Sequence, residues 1–119
     1  MNRPSHQEQG RISLAQAEEE LAKDDLRQAS EKGWGAASQM VKAVADARGW
    51  DHKGHAQLFK AVGSLAGEHD DKALRRLFSS SNDLHINFYD GYLSQHEVSV
   101  RMEDVALFVR KMDAILAEA

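Results

Sequence analysis

The stretch Ser81-Asn82-Asp83-Leu84-His85-Ile86-Asn87-Phe88-Tyr89-Asp90-Gly91 sets one histidine between an asparagine three residues before it and a tyrosine four residues after. On a helix, residues three and four apart are surface neighbours, so Asn82, His85 and Tyr89 share one side. An imidazole titrates near neutral pH, and these neighbours could orient it, which makes His85 a candidate acid–base group or ligand contact. A second pattern is Asp51-His52-Lys53-Gly54-His55. If that segment is helical, His52 and His55 can share a metal ion, with Asp51 or His69 as a third ligand. A third pattern is Lys32 beside Trp34, an indole that could stack a base and an ammonium that could meet a phosphate. Arg75 and Arg76, with Lys72, Arg101, Arg110 and Lys111, are positioned to give a basic surface across the last two helices.

Each pattern also has a plainer reading. At ~100° per residue, Leu74, Leu77, Phe78, Leu84, Phe88 and Tyr92 fall within a ~120° arc that includes His85. That favours a buried or interface histidine held by a hydrogen bond. Two histidines without a nearby third ligand are a weak metal signal, and Asp51 reads equally well as a helix cap. Trp34 among Gly33, Gly35, Ala36 and Ala37 reads as a plug where helices approach closely. Acidic residues interleave with the basic ones, as on ordinary solvated faces. The chain has no Walker A loop, no glycine-rich dinucleotide loop and no His-Glu-x-x-His motif, so no cofactor is expected.

The elements that must hold these residues are helices. With 119 residues, the chain is the size of one domain. It has no cysteine, which excludes disulfides and thiolate chemistry, and its formal net charge is −4, which argues against broad nucleic-acid binding. No apolar run approaches the roughly 20 residues that span a bilayer, and the polar start lacks a signal core, so a cytoplasmic location is expected. Residues 1–11 are expected to be flexible, ahead of a single domain over 12–119.

Ser13 with Gln16 predicts the cap of a first helix ending near Lys23, and Asp24 or Asp25 with Gln28 opens a second over Leu26–Arg48. Gly49 suits a left-handed stop with Trp50 folding back. A third helix is expected from about Lys53 to Ala66, closed by Gly67. A fourth runs from Asp70 or Asp71 to Gly91, and a capping box, Ser94 to Glu97, opens the last. The prediction is an all-α, largely up-and-down bundle of about five helices.

The run Gln28-Ala29-Ser30-Glu31-Lys32-Gly33-Trp34-Gly35 continuing to Trp50, followed by Leu84-His85-Ile86-Asn87-Phe88-Tyr89-Asp90-Gly91 before a long last helix, resembles the HEPN superfamily (higher eukaryotes and prokaryotes nucleotide-binding). The resemblance is to its PaREP-type branch of small archaeal and bacterial proteins. It implies a helical bundle that pairs as a homodimer. It also implies a ligand that is a nucleotide, RNA or a nucleotidyltransferase-type protein. Several branches are ribonucleases that place an arginine ahead of a histidine with four to six residues between them. Here nine and eight residues separate Arg75 and Arg76 from His85, and position 81 is a serine. Arg76 would also point ~180° away from His85, ~13 Å along the helix. Phosphodiester cleavage needs a cation beside its acid or base. The expectation is therefore a non-catalytic binding module, the alternative being a metal-independent ribonuclease that uses His85 and an arginine from the partner chain.

Overall fold

The structure is a computed structural model and describes residues 3–118. It contains five helices: α1 (His6–Ala22), α2 (Leu26–Arg48), α3 (His55–Glu68), α4 (Ala73–Asp90) and α5 (Gln95–Ala117). No strand occurs among the described residues, so the all-α bundle read from composition and caps is the fold. α2 is the central helix and packs against all four others. α1 lies mainly along α2 and also touches α5, while α3 leans on α4 and α2.

The turns are short because each helix end is closed by its own backbone. Asp25 N–H reaches the Glu20 carbonyl, Trp50 N–H that of Ala45, and Asp71 N–H that of Ala66. In each case the preceding residue, Asp24 (φ 61°), Gly49 (φ 70°) or Asp70 (φ 48°), takes the left-handed conformation such a closure needs. Aspartate tolerates that region better than most side chains. The sequence-based stop at Gly49 is therefore observed, but α3 runs past Gly67 to Glu68 and stops before Asp70. α3 also opens later than expected, at His55, behind Gly54 (φ 89°). Asp25 caps α2, and Ser94 with Glu97 forms the expected capping box on α5. The cap position of α4 is Lys72 rather than Asp70 or Asp71; Asp71, one residue before it, accepts from Ala73 N–H and also holds Lys111 at 2.8 Å.

The N-terminal expectation is corrected. α1 starts at His6, capped by Ser5, so residues 6–11 are helical, and Ser13 lies buried within that helix instead of capping it. Residues 1 and 2 lie outside the described residues. Ser5-His6-Gln7-Glu8 repeats the cap grammar of Ser94-Gln95-His96-Glu97: Ser5 Oγ accepts from Glu8 N–H and donates to the Glu8 carboxylate. The helix lacks an apolar stripe because what it buries is Gly10, Ser13 and Ala17. These small residues let α1 sit tightly on α2: a Cβ on Gly10 would fall 2.7 Å from Met40 Sδ and 3.2 Å from the Ala36 carbonyl oxygen.

The core runs through Met40, Val41, Leu65, Leu77, Phe78, Leu84, Phe108 and Met112, all fully buried. α4 follows its projected arc at Leu74, Leu77, Phe78 and Leu84. It departs from it at Asn87, which is 1% exposed, and Tyr92, projected onto the same arc, lies beyond the end of α4 and is 53% exposed.

Candidate functional site

Trp34 on α2, His55 at the first turn of α3 and His85 on α4 meet at one end of the α2–α3–α4 junction. Gly33 makes the approach feasible. A Cβ there would lie 2.7 Å from Met102 Sδ and 2.8 Å from Leu84 Cδ1, so glycine lets α4 and α5 close on α2 at this level without displacing those side chains. Trp34, the next residue, is thereby set against the residue after Leu84. Gly54 turns the chain so that His55 faces the same place.

The Trp34 ring centroid is 4.8 Å from those of both His55 and His85, at interplanar angles of 24° and 30°. The two imidazoles are 5.5 Å apart and nearly parallel, too close to lie on opposite faces of the indole. They form a triangular stack on one side of it. Below the stack, Phe59 and Phe78 join it to the core. His85 is half-buried and His55 exposed. Burial, and then the neighbouring His55, hold the His85 imidazole below its ordinary pKa of 6.5, partly opposed by Glu31. The shift favours the neutral imidazole near pH 7.

Asn82 does not orient His85. Its Oδ1 accepts a 2.6 Å hydrogen bond from His55 Nε2, because α3 brings that imidazole across to α4. Tyr89, 67% exposed, meets His85 through an edge-to-face ring contact at 5.6 Å. Beside the stack lies an open cleft of about 390 Å³, lined by Trp34, Ser38, Lys42, His52, Lys53 and His55. Lys42 and Lys53 form no ion pair among the described residues. The arrangement offers aromatic faces, an imidazole edge and two ammonium groups to one ligand.

The remaining sequence candidates are dispersed. Lys32 is half-buried and does not line the cleft. Arg75 donates to the Gly63 carbonyl of α3 at 3.2 Å, and Arg76 is exposed on α4. The chain's own Arg75 is thus a helix-to-helix tie. His52 and His55 do not form a ligand pair: His55 is bound to Asn82, while His52 Nε2 lies 2.7 Å from Asp46 Oδ1. Asp51 accepts from Lys53 N–H, and His69 is remote from both, paired with Glu118. His52 gains instead an unexpected neighbour, His6 of α1, at a ring distance of 5.6 Å.

Sequence reasoning missed Lys42 and Lys53 as cleft residues, His55 as a stacking group, and the His6–Asp46–His52 cluster. Their convergence depends on where α1 and α3 cross α2, which no local spacing encodes. The Ser5-to-Glu8 cap was a readable signal, since it would have placed His6 on a helix.

The match to known families covers these elements. The model of the archaeal PaREP1/PaREP8 family matches residues 6–109, from the first residue of α1 well into α5. A crystal structure of a protein from Sulfolobus solfataricus is similar with a TM-score of 0.79 and 27% sequence identity, over 91% of this chain and 96% of that one. Among curated proteins, none matches the chain. The family match, spanning all the residues of the stack and the cleft, makes this chain a member of the archaeal PaREP1/PaREP8 family.

Proposed function

We propose that the chain is a HEPN-like binding module, working as a homodimer, that takes a nucleotide or single-stranded RNA into the cleft beside Trp34, His55 and His85. The observation that carries this reading is the exposed His55 imidazole, stacked on Trp34 and opening on a cleft that holds Lys42 and Lys53. Aromatic stacking contributes about 1–3 kcal/mol per base and tolerates any base. Two phosphate contacts give a log K versus log salt slope of about −1.4 for a single strand, far shallower than broad electrostatic binding. A weak slope suits a chain of net charge −4. The dimer is supported by Ile86, Tyr89 and Tyr92, which leave large side chains exposed around the C-terminal end of α4.

The test is a titration with mononucleotides and short single-stranded RNA, read by Trp34 fluorescence in a Trp50→Phe background. Binding is expected to weaken at least tenfold in His55→Ala and in a Lys42→Ala/Lys53→Ala double variant. Light scattering on the free protein tests the dimer.

A second reading keeps His85 as the general base of a ribonuclease, and its lowered pKa favours it, since a neutral imidazole can accept a proton at pH 7. The cation would come from the partner chain, because Arg75 is occupied by Gly63. RNA cleavage that disappears in His85→Ala establishes this reading; no cleavage across a range of pH and metal ions removes it.

A further inference from the structure

His6, Asp46 and His52 come from three separate elements: the first residue of α1, the last turns of α2 and the loop before α3. One ligand atom from each lies within 4.8 Å of the others. His6 Nε2 is 3.4 Å from Asp46 Oδ2, and His52 Nε2 is 2.7 Å from Asp46 Oδ1. Around a tetrahedral zinc-sized ion at about 2.0–2.1 Å, ligand atoms stand roughly 3.3–3.4 Å apart. His6 and His52 face different oxygens of the Asp46 carboxylate, the first already at such a spacing and the second at hydrogen-bond distance. A bound ion would take the place of the His52 Nε2 proton and widen that contact by less than an ångström.

The hydrogen bond behind His6 points the same way. Gln39 Oε1 is 2.6 Å from His6 Nδ1 and can only accept, so Nδ1 carries the proton. His6 Nε2 then faces the Asp46 carboxylate at 3.4 Å, a place that a proton on Nε2 or a metal ion can fill. Such a bond from the outer ring nitrogen to a carbonyl is what fixes the tautomer of metal-bound histidine. His52 faces the other oxygen of the same carboxylate, with its ring plane at 80° to that of His6.

We propose that His6, Asp46 and His52 bind a divalent first-row transition ion, zinc being the reference, with Gln39 orienting His6. Two imidazoles and one carboxylate suit zinc, iron(II), cobalt or nickel, and disfavour magnesium and calcium, which take oxygen ligands. Three protein ligands leave at least one coordination position for water or an incoming oxygen donor. The groups are 38%, 55% and 24% exposed, so an ion can enter and leave. The site ties the start of α1 to the α2–α3 loop, and His52 also lines the cleft beside Trp34. It does not depend on the nucleotide reading and is tested without RNA.

The experiment is calorimetric titration of tag-free protein with Zn²⁺ at pH 7.5, paired with the visible spectrum of the Co²⁺-loaded protein. One equivalent per chain is expected, with Co²⁺ bands of four- or five-coordinate type and a raised melting temperature. Asp46→Asn and His6→Ala are each expected to weaken binding at least tenfold, and Gln39→Leu about tenfold or more. His69→Ala, outside the site, is expected to bind as the parent does. Circular dichroism confirms that the variants fold, and Asp46→Asn, exposed and nearly isosteric, serves where His6→Ala does not. The proposal is overturned by the absence of saturable Zn²⁺ binding, or by binding that Asp46→Asn and Gln39→Leu leave unchanged.

Discussion

Asn87→Ala is the substitution whose cost follows most directly from the structure. Asn87 is 1% exposed and joins three segments: its Nδ2 donates to Ser30 Oγ of α2 at 2.9 Å, and its Oδ1 accepts from Leu93 N–H at 2.7 Å. Ser30 Oγ in turn donates to the Leu26 carbonyl at 2.6 Å. Removing the amide leaves the Leu93 N–H buried without a partner, at about 1–3 kcal/mol. It also removes one donor from Ser30, about 1 kcal/mol. Alanine's better helix propensity returns about 0.5 kcal/mol. The net loss is about 1.5–3.5 kcal/mol. With an unfolding entropy near 2.1 cal/mol/K per residue, the melting temperature falls by roughly 10 °C. Urea unfolding at pH 7 should show a lower midpoint at unchanged slope. Asn82→Ala, five residues earlier, loses only its bond to exposed His55, with an expected cost of about 0.5–1 kcal/mol. A cycle with Ser30→Ala should give a coupling of about 1 kcal/mol. A cost below about 0.5 kcal/mol for Asn87→Ala, or additivity with Ser30→Ala, would refute the reasoning.

Two glycines separate packing from propensity. Gly35→Ala meets only Ser13 Oγ, at 3.9 Å, and should stabilise by about 0.5–1 kcal/mol in thermal unfolding; Gly10→Ala collides with Met40 and the Ala36 carbonyl and should destabilise by about 1–3 kcal/mol. Imidazole NMR should find His85 titrating below 6.5 and His69 above it, the latter because of its hydrogen bonds to Glu118 and Leu65, with Glu118→Gln removing most of that rise. By linkage, His69 favours the fold below pH 6.5, and this is lost as pH rises through its raised value. His85 disfavours the fold increasingly as pH falls below 6.5. Asp71, lowered from 3.8 mainly by Lys111, favours the fold above 3.8 and loses that effect through its lowered value, so the cost of Lys111→Gln in urea unfolding should shrink with acidification.

The helix plan was readable because turns and caps are local chemistry. Asp25 and the Ser94–Glu97 box sit where their side chains predict, and Gly49 and Gly91 where their freedom to take a positive φ does. α1 was misread because periodicity rewards large apolar side chains, whereas this helix buries glycine, serine and alanine. Within the 81–91 stretch, the sequence singled out Asn82, His85 and Tyr89, yet the asparagine that holds the fold is Asn87. Hydrogen-bond capacity is visible in a sequence; the partner that satisfies it is not. For the same reason His55 read as half of a metal pair, when the crossing of α3 over α2 stacks it on Trp34.

The central claim is that the Trp34–His55–His85 stack and its lysine-lined cleft form one ligand site. Its most direct measurement is Trp34 fluorescence of Trp50→Phe protein titrated with single-stranded RNA at several salt concentrations. Saturable quenching with a log–log salt slope near −1.4, weakened in His55→Ala and in Lys42→Ala/Lys53→Ala, is the predicted result. Quenching that is absent, or that both variants leave unchanged, would contradict it.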